Sequence, residues 1–261
     1  MRVACWNVNS VRARTGRLVD FLNRHSPDVV CLQETKCEDV SFPFEAVGDA
    51  GYEVTHYGQK SYNGVAILSQ KRPVLVARGF ADGGEEDAQR RLVWATFELP
   101  IGGAPKVTVC SVYAPNGQAV GTDKYAYKLA WYERLAKLLP SKQEWPLIVC
   151  GDFNVAPADL DVHDPAAWRD QVLCSAPERA ALQSLCAAGL EDGLRKLRPN
   201  DQAFTWWDYR MLGFQKNKGL RIDHMLLDKR AMAACTEIIV DRDERKGEDP
   251  SDHAPVIATF N

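Results

Sequence analysis

The chain has 261 residues, long enough to bury a sizeable core as one large domain or two small ones. Its 46% hydrophobic and 26% charged content is that of a water-soluble globular protein, and no apolar run reaches the length of a membrane span. A net charge of −3 excludes a globally basic nucleic-acid binder, so such a partner would have to be held by a local basic face.

Met1 leads straight into Arg2–Val8, a run rich in Val, Cys and Trp that reads as a buried strand and leaves no room for a signal peptide. It ends in the polar string Asn7-Val8-Asn9-Ser10. Thr15–His25 follows with Leu18, Phe21, Leu22 and His25 at helical spacing; the arginines Arg12, Arg14, Arg17 and Arg24 read as a solvated face or as phosphate contacts. Pro27 breaks this helix, and Asp28–Leu32 is a second buried strand ending in Gln33-Glu34-Thr35-Lys36. A right-handed crossover between the two strands would bring Asn7 and Glu34 to one edge.

Tyr52–Tyr57, Gly64–Ser69 and Pro73–Arg78 are short strands punctuated by Gly, Asn and Pro. Arg91–Glu98 and Lys106–Tyr113, joined by a short Gly/Pro linker, read as an antiparallel pair. Asp123–Leu139 is an amphipathic helix presenting Tyr125, Leu129, Tyr132, Ala136 and Leu139, stopped by Pro140. Leu147–Cys150, inside Pro146–Pro157, is an apolar strand that stops at Gly151 and turns out Asp152 and Asn154 on one side. An irregular polar stretch runs through Asp170, and Ser175 with Glu178 forms a capping box opening a helix to about Ala188. Phe204–Arg210 is aromatic-rich; Leu220–Leu227, Thr236–Val240 and Val256–Phe260 are further strands, with a charged loop at Lys246–Pro250. Helices alternating with strands, then strand pairs, predict mixed sheets covered by helices. No composition break suits a domain boundary, so residues 1–261 read as one domain, and the two halves loosely echo each other.

The eight cysteines include Cys5, Cys31, Cys110 and Cys150 inside apolar runs, with no CxxC pair, and read as reduced core residues of a cytoplasmic protein. The polar residues at strand ends are Asn7, Glu34, Tyr113, Asp152, Asn154, Asp223, Asp252 and His253. These are oxygen and imidazole donors with no cysteine and no Gly-rich phosphate loop, which suits Mg²⁺ or Mn²⁺ rather than a soft metal or a nucleotide cradle. Such an ion neutralises phosphoryl charge, and a histidine beside an aspartate can orient or activate water. Separately, Arg210, Lys216, Lys218 and Arg221 face a single nearby acid, Asp208, and form the local basic patch that an acidic DNA binder needs.

The strings CWNVNSVRA, VCLQETK, VYAPNG, GDFNVAPADLD, FTWWDYR, GLRIDHML and SDHAPV, spread over the whole length, closely resemble the exonuclease III family of AP endonucleases. The resemblance implies a four-layer α/β sandwich, with two mixed β-sheets packed face to face and helices outside. It implies Mg²⁺-dependent cleavage of duplex DNA 5′ to abasic sites, with 3′→5′ exonuclease and 3′-end-cleaning activity. Carried over position by position, Glu34 is the principal metal ligand with Asn7 beside it, and Asp252 ligates or holds His253. His253 orients or deprotonates the attacking water or stabilises the phosphorane, and Asp223 holds its ring. Asp152 activates the nucleophile or protonates the leaving 3′-oxygen, and Asn154 steadies Asp152 and the phosphate. Asp152, Asn154 and His253 also border the metal position. Tyr113 contacts the scissile phosphate or acts as nucleophile or leaving-group ligand, and Asn116 helps position substrate. Trp206, with Phe204 sharing its pocket, packs on a base-free sugar in a space too tight for a nucleotide with its base. Trp207 and Tyr209 read equally as core. His224 adjoins Asp223, but alternation puts it on the opposite sheet face. Asn9 stands where some relatives carry an acid, leaving a second metal position open; Ala119 stands where some eukaryotic relatives carry a DNA-gripping arginine. A monomer acting on duplex DNA with abasic sites or blocked 3′ ends, and no membrane, is the expected setting. The competing readings are a superfamily relative acting on lipid or inositol phosphates, and a DNA-binding module with a decayed site.

Overall fold

The apolar runs form two six-stranded mixed sheets. The computed structural model describes residues 1–142 and 144–261. In the first sheet, β1 (Arg2–Asn7) lies parallel to β2 (Val29–Gln33), flanked by β3 (Glu53–Tyr57), β4 (Val65–Ser69), β13 (Cys235–Val240) and β14 (Val256–Phe260), in the order β13-β14-β1-β2-β4-β3. In the second, β5 (Leu75–Arg78), β6 (Leu92–Phe97), β7 (Val107–Tyr113), β8 (Leu147–Asp152), β9 (Leu190–Asp192) and β12 (Asp223–Asp228) run in the order β5-β6-β7-β8-β12-β9, with β7 and β8 parallel. A two-residue ribbon, β10 (Trp206–Trp207) with β11 (Gly219–Leu220), stands apart.

Each sheet centres on one strand–helix–strand crossover. Helix α1 (Thr15–His25) joins β1 to β2; α2 (Phe44–Asp49) packs with it. Helix α3 (Asp123–Leu138) joins β7 to β8, and α4 (Ala176–Ala187), α5 (Gly193–Leu197) and α6 (Lys229–Ala234) complete the helices. The echo between the halves is therefore a repeated parallel pair.

Four layers follow from which faces are apolar. Val3, Cys5, Cys31 and Ile67 of the first sheet pack against Val93, Val109, Ile148 and Cys150 of the second. On the outer side of the first sheet, Ala4, Trp6 and Leu32 meet Leu18, Phe21 and Leu22 of α1. On the outer side of the second, Cys110 and Val149 meet Trp131, Tyr132 and Leu135 of α3 and Leu182 and Leu185 of α4. Both faces of the central strands are covered, which is why they read as continuous apolar runs rather than alternating ones. All eight cysteines are free, and seven are buried.

One element departs from the sequence expectation. Leu220–Leu227 is not a single strand: Leu220 belongs to the ribbon, and β12 begins only at Asp223. Thr205 Oγ1 accepts from the N–H groups of both Ile222 and Asp223, at 3.0 Å each, replacing ladder bonds at the break. The break lets Arg221 turn inward.

Candidate active site

The register of the second sheet sets the site. Tyr113 pairs with Asp152 across β7–β8, and Asp223 pairs with Asp152 across β8–β12, so these three lie in a row on adjacent strands. In the first sheet Asn7 pairs with Gln33, which places Asn7 and Glu34 at the same end. The segment before β14 is drawn in by Ser251, whose Oγ donates to the Asn7 carbonyl at 2.6 Å, and by Trp6 Nε1, which donates to the His253 carbonyl at 3.2 Å. The backbone of Trp207 donates to Asp252, and that of Ala254 to Thr205. Carboxyl ends of sheet strands are where open α/β folds gather ligand groups.

Several positive-φ residues border the site. Glu34, Asn9, Lys36 and Asn154 all have positive φ, at 52°, 44°, 53° and 51°. Each such non-glycine conformation costs about 1–3 kcal/mol and persists only where its surroundings hold it. Gly151, with φ 139°, lets β8 approach β7: a Cβ there would lie 2.1 Å from the Val112 carbonyl oxygen.

Glu34, Asp152 and His253 each offer a ligand atom within 4.8 Å of the others. Asn7 donates its side-chain N–H groups to Glu34 Oε1 and to Asp152 Oδ2, both at 2.9 Å. Its amide oxygen accepts from the Asn9 N–H, so Asn7 ties the two carboxylates together. Asp152 also accepts from the Asn154 N–H at 2.8 Å and Asn154 Nδ2 at 3.3 Å. His253 Nδ1 lies 2.8 Å from Asp223 Oδ2, and its Nε2 lies 3.8 Å from Asp152. Asp223 Oδ1 is buried without a partner.

Burial would lower the His253 pKa, but the carboxylates of Asp223 and Asp152 more than offset it and raise the value. Burial raises Asp152, against the pull of the His253 imidazolium. Burial would raise Glu34 too, yet Lys36, 2.7 Å from its Oε2, and Asn7 bring it below the ordinary value, so it stays ionised. Burial first, then Glu34, pushes the Tyr113 phenol well up, so Tyr113 is a neutral O–H donor, with the Arg91 guanidinium 4.7 Å over its ring. Ionised oxygen donors and one imidazole suit a hard divalent cation.

Other expected site residues fall elsewhere. Asp252 accepts from Trp206 Nε1 and Asn9 Nδ2, both at 3.0 Å, and stands at the rim outside the ligand-distance cluster. Trp206 is half-buried, with Trp168 edge-on at 6.5 Å. Phe204 is only 5% exposed: it packs with Trp207 and Ala254 and lines a separate cavity of about 630 Å³, so it is not part of a pocket with Trp206. Trp207 is core, whereas Tyr209 is exposed and donates to the Pro250 carbonyl. Asn116, exposed, donates to Asn154 Oδ1 at 3.1 Å and borders a groove of about 500 Å³. Of the basic patch, Lys216 and Lys218 are exposed and Arg210 pairs with Asp208 at 2.7 Å. Arg221 leaves the patch: 1% exposed, it is fixed by Asp161 and Asp192, each at 2.7 Å, and cannot meet a solvent-borne partner. Arg14, Arg17 and Arg24 hold the 243–250 loop rather than facing solvent as a set. His224 does face away from the site, bonded to Arg221 and to the Val155 carbonyl.

A row of carboxylates with an aspartate-held imidazole, at one end of two face-packed mixed sheets, defines a metal-assisted phosphoester hydrolase. The comparisons agree. A family model described as the Endonuclease/Exonuclease/phosphatase family matches residues 4–253. Exodeoxyribonuclease III of Haemophilus influenzae is 38% identical over 271 aligned positions, covering all of both chains. A 3′ phosphatase from Neisseria, solved with a product DNA hairpin, superposes with a TM-score of 0.92 at 38% identity, covering 100% of this chain and 99% of that one. An AP endonuclease from Archaeoglobus fulgidus does so at 0.92 and 34%, with the same coverage. This chain therefore belongs to the endonuclease/exonuclease/phosphatase family, in its exonuclease III branch. It is a nuclease of that type.

Proposed function

We propose that the protein is a Mg²⁺-dependent DNA-repair phosphodiesterase, with Mn²⁺ as a substitute, cleaving duplex DNA 5′ to abasic sites and clearing blocked 3′ ends. The observation that carries this is the meeting of Glu34, Asp152 and the Asp223–His253 pair at one sheet end. The full-length likeness to nucleases acting on DNA 3′ ends and abasic sites supports the substrate class.

Glu34 and one oxygen of Asp152 would hold the ion, with the protonated His253 beside them rather than on the metal. When bound, a hard divalent ion supplies positive charge beside the phosphoryl and leaving oxygens. The His253 imidazolium, kept charged by Asp223, faces the same oxygens and stabilises the charge that builds on them. Asp152, whose pKa is raised by burial, accepts the proton of the attacking water. Water oxygen bonds to phosphorus, the bond to the 3′-oxygen breaks, that oxygen takes a proton from solvent, and a 3′-hydroxyl and a 5′-phosphate result. Asn154 and the neutral Tyr113 hydroxyl donate to the phosphate. Trp206, at the rim beside Asp252, forms the apolar wall for a sugar without its base. Lys216 and Lys218 meet backbone phosphates. The protein works as a monomer.

Two duplexes test this: one with an internal abasic site, one with a nick bearing a 3′-phosphate. Both should be processed with Mg²⁺, and Trp206→Ala should slow the first more than the second. Removal of the 3′-phosphate with no incision at the abasic site would overturn the lesion assignment. Inertness towards both, by folded protein supplied with Mg²⁺, would turn attention to lipid or inositol phosphates.

A further inference from the structure

The turn after Asp152 points three consecutive backbone carbonyls into the protein, and a buried side chain meets each one. Tyr132 Oη donates to the Phe153 carbonyl, Lys128 Nζ to that of Asn154 at 2.7 Å, and His224 Nε2 to that of Val155 at 2.8 Å. His224 is held in that role by Arg221 Nη1, 3.0 Å from its Nδ1. Tyr132 and Lys128 are four apart on α3, so one helix face supplies two of the three donors.

Lys128 reaches further. Its Nζ also donates to the Asn116 carbonyl at 3.1 Å, while the Asn116 side chain donates to Asn154 Oδ1 at 3.1 Å. Its third partner is Glu178. Both side chains of this pair are 0% exposed. Glu178 in turn accepts from the N–H groups of Leu173 and Ser175, at 3.0 and 3.1 Å. Burying such a pair is costly, and a position needing only packing is served as well by Leu or Met. What an ammonium adds is three donors on one atom, and all three are used here. Gly117 makes room for the stem: a Cβ there would lie 3.0 Å from Lys128 Cδ.

We infer that Lys128 is a positioning residue. It ties the loop carrying Asn116 to the turn carrying Asn154, and thereby sets the two amides on the phosphate side of the site. Its effect on rate rests on the hydrolase reading above; its effect on the two amides does not. Asn154, held at positive φ, is the residue most in need of such a clamp.

The test uses the double variant Lys128→Met with Glu178→Gln, which leaves neither charge buried alone. Lys137→Met, exposed on the same helix, is the control. Turnover of the 3′-phosphate duplex is followed well below the melting temperature, beside the ¹H–¹⁵N side-chain amide signals of Asn116 and Asn154. The double variant should lose about 10²-fold in kcat, as expected for a misplacement near 1 Å, with KM little changed. Both amide signals should move towards those of free amides. Wild-type kcat, or unmoved amide signals despite a lower melting temperature, would overturn the inference and leave the pair purely structural. If the wild-type protein proves inactive on DNA, the hydrolase reading fails by itself, and the amide signals alone decide the positioning role.

Discussion

Replacing Gly151 by alanine probes how tightly the backbone before Asp152 is constrained. Gly151 has φ 139°, and an added Cβ would fall 2.1 Å from the Val112 carbonyl oxygen and 2.8 Å from Gln33 Nε2. Neither neighbour is free to move. Val112 is in mid-ladder between β6 and β8, and Gln33 Nε2 is bonded to the Cys31 carbonyl and Ser111 Oγ between the sheets. The unfavourable φ costs about 1–3 kcal/mol and the overpacking about as much again. At about 2–4 °C per kcal/mol for a chain of this size, the melting temperature should fall by roughly 4–24 °C. The strand must also shift, carrying Asp152 with it, and a displacement near 1 Å costs about 10²-fold in rate. Thermal unfolding followed by circular dichroism, with turnover measured well below the melting point, checks both. A variant that melts within about 1 °C of wild type and turns over normally would refute the steric reasoning.

Asp223→Asn removes the carboxylate from a buried 2.8 Å bond to His253. A charge-assisted bond of about 1.5–3 kcal/mol corresponds to about 1–2 pH units, so the alkaline limb of the pH–rate profile should move down by that amount; superimposable profiles would contradict the role given to Asp223. Arg221→Met breaks a buried pair and should cost roughly 3–5 kcal/mol in chemical denaturation, with the salt dependence of DNA binding unchanged. The same network makes stability pH-dependent. Burial would raise Asp192, but Arg221 lowers it below its ordinary value, so its contribution is present above the ordinary carboxylate range and is lost as pH falls through the lowered value. Wild type should lose more stability on acidification than Arg221→Met does, measured by denaturation midpoints. Lys216→Ala and Lys218→Ala should each reduce the slope of log K against log salt by about 0.9, read by fluorescence anisotropy; an unchanged slope would take that lysine out of the DNA interface.

The sequence showed most clearly what repeats along the chain. Apolar runs ending in polar residues located β1, β2, β7 and β8, and the crossover rule brought Asn7 and Glu34 together before any coordinate did. Buried polar residues were the hidden part. Lys128 fell inside an amphipathic helix and Arg221 inside a cationic run, and composition alone cannot separate a solvated charge from one whose partners, Glu178 or Asp161 and Asp192, come from distant segments. Thr205 was invisible for the same reason, since its two acceptor bonds arise only where the strand breaks before Asp223. The aromatic string was readable as functional but not residue by residue. Phe204, Thr205 and Trp207 are buried while Trp206 among them reaches the rim and meets Asp252, a split no simple period predicts.

The most direct measurement uses one end-labelled duplex with a single internal abasic site, incubated with and without Mg²⁺, comparing wild type with Asp152→Asn and Glu34→Ala. A nick 5′ to the site that requires Mg²⁺ and falls by at least about 10³-fold in each variant is expected, since each removes a group acting on the reacting phosphate. Cleavage independent of metal, or undiminished by either substitution, would contradict a site built on these carboxylates.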